Sequence, residues 1–218
     1  MPVSYNDMVG QRIGRLANLS DSIFGVAMTL LILEFQVPAD FVESENQLWR
    51  ALLALGPRFL VYSMSFLTLG IFWNAQQVQL NRFARGDRHL TWIHIAFLAT
   101  VAVTPFSTAL LENYIHLRVA LTVFWLTMFL LGLMLHASWR YATANRLVRN
   151  NVSQEERLAI KRRILFAQAL YAAGFALCVF NTRVSIVAIA LIQFALALAP
   201  TIWWFKRRTL FGPGGPSS

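Results

Sequence analysis

Six stretches of about 20 mostly apolar residues, at 17–36, 51–74, 91–111, 117–139, 163–181 and 184–205, constrain this chain more than any other feature. A run of that length, wound as a helix, covers the ~30 Å hydrocarbon core of a bilayer. Three of the connections between the runs are short, so consecutive helices must lie beside one another as antiparallel pairs. Composition agrees: 57% hydrophobic and 13% charged residues cannot furnish a water-facing surface of ordinary polarity. The expected fold is an all-α membrane protein of six transmembrane helices. It forms one domain over 1–210, followed at 211–218 by a Gly- and Pro-rich disordered tail.

Basic residues set the orientation. Fifteen of the 19 Lys and Arg fall in the N-terminal segment, the second-to-third loop, the fourth-to-fifth loop and the segment after the last helix. The other side holds only Arg50, Arg58, Arg118 and Arg183, with Asp40, Glu43, Glu45 and Glu112 among them. The positive-inside rule then makes both termini cytoplasmic, which suits an even number of spans. No basic n-region leads into a short apolar core and cleavage site, so the first apolar helix is expected to act as its own insertion signal. The net charge of +9 sits at helix ends, where it fixes topology and meets anionic lipid headgroups, and nucleic acid is not the expected partner. Trp203 and Trp204 beside Lys206-Arg207-Arg208 read as an interfacial anchor. The lone Cys178 excludes an intrachain disulfide or a thiolate metal cluster.

The first apolar run contains a charge that a simple anchor would avoid. Holding the Asp21 carboxylate near lipid costs several kcal/mol unless it is paired or faces protein or water. With Val26 at zero and a step of about 100° per residue, Ser22, Thr29, Leu30 and Leu33 fall at about −40°, −60°, +40° and −20°. They form one narrow stripe of aliphatic and small hydroxyl side chains. Asp21 falls at about −140°, off the stripe, and needs a donor from a neighbour such as Arg15, Asn74 or the Trp73 indole. Periodicity alone fits ordinary packing of the stripe as well as it fits the lining of a pore.

Arg15-x-x-x-Leu19-Ser20-Asp21 resembles the first-helix signature, Arg-x-x-x-Phe-Ser-Asp, of the lysosomal potassium-channel family (transmembrane protein 175) and its bacterial six-helix relatives. Leu19 stands where the family has Phe. A second block is similar too: Phe72-Trp73 ending helix two, Arg85-Gly86-Asp87 in the loop, and Pro105-Phe106-Ser107-Thr108 late in helix three. Relatives carry His shortly after the Trp, where this chain has Asn74, Gln76 and Gln77.

The resemblance implies a homotetramer around a central pore, since one repeat of six helices cannot enclose an axis by itself. It places large aliphatic residues at Val26, Leu30 and Leu33 and a hydroxyl layer at Thr29, with Ser22 in the same stripe. Arg15, Ser20, Asp21, Trp73 and Asn74 form the structural motif. It further implies a multi-pass protein of the bacterial inner membrane that passes K⁺, needs no cofactor, and touches only lipids and its own copies. No Thr-Val-Gly-Tyr-Gly carbonyl filter occurs, so discrimination for potassium must come from a narrow aliphatic neck and is expected to be modest.

The rival reading is a proton- or cation-coupled secondary transporter, which normally shows internal repeats and ionisable residues around a central cavity. An enzyme has no candidate chemistry here: paired carboxylates, HExxH and nucleophile motifs are missing. His94 and His136, on different helices without an acidic partner motif, are expected to pack rather than bind metal. Pro105 removes one helix hydrogen bond, and Ser107 or Thr108 is expected to re-satisfy what it frees.

Overall fold

The computed structural model describes residues 13–33 and 44–210, with side chains described as far as Leu198. Its elements are helices: α1 Ile13–Leu33, α2 Glu45–Ala54, α3 Gly56–Leu80, α4 Arg88–Asn113, α5 Arg118–Ala144, α6 Gln154–Ala176 and α7 Thr182–Leu210. A 3₁₀ turn at Leu177–Val179 joins α6 to α7. The expected tail at 211–218 and the Trp203, Trp204 and Lys206–Arg208 side chains lie outside the described residues.

Among the described residues, four helices are long and apolar enough to cross a bilayer: α1, α4, α5, and α6 carried through its 3₁₀ turn. The second expected span, 51–74, is interrupted. Helix α2 stops at Ala54, α3 starts at Gly56, and the two are bent by 44°, making a broken fifth span when taken together. Pro57 explains the break. Its ring suits the first turn of a helix but carries no N–H to continue one arriving from before it. Apolar content had carried straight across this joint.

The fifth expected span begins earlier than residue 163. Ser153 accepts a hydrogen bond from Glu156 N at 3.1 Å, and Glu155 and Glu156 sit in the first turn, where a negative charge suits the helix dipole. The opening turns of α6 are therefore an exposed, charged stretch outside the apolar core. Asp87 starts α4 in the same way, accepting from Leu90 N at 2.8 Å, and its second oxygen accepts from Tyr141 Oη at 2.7 Å.

The loops at the basic end are tied together. Ala84 N donates to Leu147 O at 2.8 Å and Arg149 N to Arg82 O at 2.9 Å, an isolated antiparallel bridge between Phe83 and Val148. Arg82 pairs with Glu156 at 2.6 Å, and Phe83 stacks on Trp139. A cluster of Leu80, Phe83, Leu90, Trp139, Ala142 and Val148 lies beneath. At the opposite end Arg58 lies 3.9 Å from the buried Glu112. The structure thus gathers the Arg-rich loops of the sequence at one end of the bundle.

Between the ends lie two apolar clusters, one built on Phe24, Leu69, Phe97 and Leu131 of α1, α3, α4 and α5, the other on Met64, Leu121, Phe124 and Tyr171 of α3, α5 and α6. Polar side chains inside pair across helices: Thr108 Oγ1 is 2.8 Å from Ser65 Oγ, and Gln193 Nε2 donates to Thr68 Oγ1 at 2.6 Å. Pro105 sits inside a continuous α4. Ser107 and Thr108 both bond Thr104 O, at 2.9 and 2.8 Å, rather than the Val101 carbonyl that proline leaves without its usual donor.

The outward stripe of helix α1 and the cluster that holds it

Helix α1 lies at the edge of the bundle and packs mainly on α3 and α4. Its packed face is Leu16, Ser20, Phe24, Ala27 and Leu31. Phe24 meets Phe97 of α4 with ring centroids 6.0 Å apart. The opposite face is uncovered. Ser22, Val26, Thr29, Leu30 and Leu33 are all exposed, Val26 at 58% and Leu33 at 68%. The narrow stripe read from helical periodicity is therefore not the packed face of this helix within the chain.

The two hydroxyls on that face donate inward along their own helix. Thr29 Oγ1 bonds Val26 O at 2.8 Å, and Ser22 Oγ bonds Asn18 O at 3.0 Å. A hydroxyl oxygen keeps acceptor lone pairs after giving up its only hydrogen. Both oxygens can thus meet a cation, among aliphatic neighbours that cannot.

The Ser20-Asp21 pair fixes α1 from two directions. Asp21 lies on the exposed side and accepts from Trp73 Nε1 at 2.8 Å and from Gln77 Nε2 at 2.7 Å, both on α3. Of the three donors anticipated, Trp73 is the one used; Arg15 and Asn74 make no hydrogen bond to Asp21 among the described residues. Ser20 is fully buried on the other side. Its Oγ bonds Leu16 O at 2.7 Å, accepts from Gln76 Nε2 at 2.9 Å, and lies 2.8 Å from His94 Nε2. Gln76 Nε2 is also 2.9 Å from His94 Nε2, so side chains from α1, α3 and α4 meet at one point.

His94 is buried and partnered, as a packing histidine should be. His136 is half-buried and lines a groove at the basic end. Gln76 and Gln77 are the residues missed from the anticipated site. Their signal was available: two long amides at the end of an apolar span, one helical turn from Trp73. Leu19, in place of the signature Phe, is 44% exposed and belongs to the outward face.

A sequence model of the endosomal/lysosomal potassium channel TMEM175 matches residues 15–105, which include α1 from Arg15 on, the Asp21 and Ser20 partners, and α4 as far as Pro105. A Chamaesiphon minutus protein named a potassium channel is 31% identical over 177 residues, 79% of this chain and 87% of its own length. One from Streptomyces collinus, also named a potassium channel, is 36% identical over 134 residues, 60% of this chain and 64% of its own. The crystal structure of a lysosomal potassium-selective channel TMEM175 homolog from Chamaesiphon minutus superposes with a TM-score of 0.75 at 28% identity. That superposition covers 86% of this chain and 97% of the other. The matched sequence model, the identity and coverage of the Chamaesiphon minutus relative, and the shared fold agree, and the chain belongs to the endosomal/lysosomal potassium channel TMEM175 family, a family of ion channels and not of enzymes, among its bacterial members.

Proposed function

We propose that this chain is a potassium channel that works as a homotetramer, with α1 of each copy lining a central pore. Val26, Leu30 and Leu33 form stacked aliphatic rings, with Thr29 and Ser22 supplying hydroxyl oxygens in the same stripe. One observation carries the reading: a membrane-length helix presents a continuous aliphatic-hydroxyl face that is exposed among the described residues. Membership in a channel family, with relatives named potassium channels, supports the cation and the mode of transport.

The proposed selectivity is modest. Without a carbonyl filter, ions cross a narrow aliphatic neck where water must be shed or rearranged, a step that costs less for K⁺ than for the smaller Na⁺. In the proposed topology six helices cross the bacterial inner membrane, α2 with α3 forming the second and α7 the sixth. Residues 1–210 act as one channel domain, and both termini lie with the basic loops on the cytoplasmic side. Lipids and the chain's own copies are its partners.

Electrical recording from the purified protein in liposomes tests the function. A passive current that reverses near the potassium equilibrium potential is the expected result. Saturable flux that runs only with a coupled proton or cation gradient would overturn it in favour of a secondary transporter.

A further inference from the structure

At the basic end, α5 and α6 diverge around an open groove of about 320 Å³. It is lined by His136, Trp139, Arg140, Arg157, Leu158 and Lys161, with Thr143 and Gln154 at its edges. Three cations and a histidine face this space, and no carboxylate lines it among the described residues. Glu156, the acid closest in sequence to Arg157, is turned away and engaged by Arg82.

Two buried nitrogens in the groove lack hydrogen-bond partners among the described residues: Arg157 Nε and His136 Nδ1. Buried polar atoms are nearly always satisfied, so these two leave hydrogen-bonding capacity beside the groove for a water or a ligand. The arrangement has two rungs. Trp139 Nε1 donates to Arg157 O at 3.2 Å, which sets Arg157 level with the Trp139-Arg140 turn. One helical turn deeper along each helix, about 6 Å, come His136 on α5 and Lys161 on α6.

We infer that this groove binds the phosphate headgroup of an anionic lipid from the leaflet facing the basic loops. Arginine offers a planar fork of donors matched to phosphate oxygens, and lysine adds a point charge. The lipid source follows from position and lining. The groove lies among the basic loops, at the end of α5 and the start of α6 where headgroups would sit, and Leu158, 46% exposed, gives it an apolar wall that glycerol and the first acyl carbons would cover. A free inorganic anion would use the cations and leave that wall unused. This inference is independent of the pore assignment, because no residue of α1 lines the groove among the described residues and the site is read by binding.

The test uses the full-length protein in detergent, with short-chain phosphatidic acid (dioctanoyl) as probe and dioctanoyl phosphatidylcholine as the neutral comparison. Bound lipid per chain is counted by native mass spectrometry across a titration. Wild type should retain phosphatidic acid in preference to phosphatidylcholine, and Arg157→Gln or Lys161→Gln should weaken its retention about tenfold by losing a charge-assisted hydrogen bond. Arg140→Gln, at an exposed position, provides a variant whose folding is not at stake and should also weaken retention. Arg85→Gln and Arg162→Gln remove the same charge from the same end outside the groove and should bind as wild type. Equal loss in these two controls, or no loss in the three groove variants, overturns the site. Binding of inorganic phosphate without binding of phosphatidic acid overturns the lipid as its occupant.

Discussion

At the scale of single residues, the Ser20-Asp21 pair separates two tasks that look alike in the sequence. Ser20 faces the bundle and joins Gln76 and His94, whereas Asp21 faces outward and is held by Trp73 and Gln77. Both act on where α1 sits, and neither belongs to the aliphatic stripe. Hydrogen bonds to a charged group typically contribute about 1.5–3 kcal/mol, and exposure of Asp21 at the chain surface puts its bonds toward the lower figure. Asp21→Ala should therefore reduce assembly and thermal stability, and Asp21→Asn should reduce them less, because an amide oxygen still accepts from the indole. Size-exclusion yield and melting temperature in detergent check this. Variants that assemble normally and change only ion selectivity would show that Asp21 serves the ion path instead. On the stripe the expectation reverses. Leu30→Ala or Leu33→Ala should leave folding intact, raise conductance and weaken discrimination of K⁺ over Na⁺, while Thr29→Val should chiefly alter selectivity. Reversal potentials under mixed-ion gradients and single-channel conductance measure both. The Trp73 partnership could be read ahead of the structure because Asp21 lies off the stripe by simple helix geometry. The Ser20 partnership could not, because His94 is 74 residues away and only tertiary packing of α1 on α4 brings them together.

At the scale of elements, each expected span falls on helix, four of them membrane-length among the described residues, but hydropathy did not find the joints. A window of about 20 residues averages across Gly56-Pro57, so one span was expected where α2 and α3 meet at 44°. The same averaging hid the polar opening of α6, whose start is set by the Ser153 cap instead of by apolar content. Close helix contact was equally invisible, since it depends on which small residue faces which neighbour. Gly174 on α6 shows this. A Cβ placed there would lie 3.1 Å from side-chain carbons of both Ile189 and Ile192 on α7. Ser185 Oγ of α7 donates to Gly174 O at 2.7 Å, so the backbones are held together at that point. Gly174→Val should wedge the pair apart and cost about 1–3 kcal/mol, the usual range for overpacking a tight site. A lowered melting temperature with unchanged helical circular dichroism is the expected signature. Gly70, whose added Cβ would meet nothing within 4 Å, should accept alanine without loss.

At the scale of the whole molecule, the face that one copy leaves exposed decides what it can assemble with. Helix α1 is fixed on one side by aromatic packing and hydrogen bonds, and its other side carries an aliphatic-hydroxyl face open along its length. In the proposed tetramer that face meets its own copies around a four-fold axis, so residues nearest the axis approach their identical counterparts. The purified assembly should accordingly have a protein mass roughly four times that of the 24.7 kDa chain, measured by light scattering with the detergent subtracted. Cysteine placement gives a sharper reading. In a background with Cys178 replaced by Ser, the chain has no other thiol. Val26→Cys should then form disulfide-linked dimers under mild oxidation, because equivalent positions face one another across or beside the axis. Leu191→Cys on α7, exposed at 65% and outside the α1 stripe, should cross-link far less. Efficient cross-linking at 191 with none at 26 would place another helix at the shared axis, and the pore would then have to be sought on that helix instead of α1.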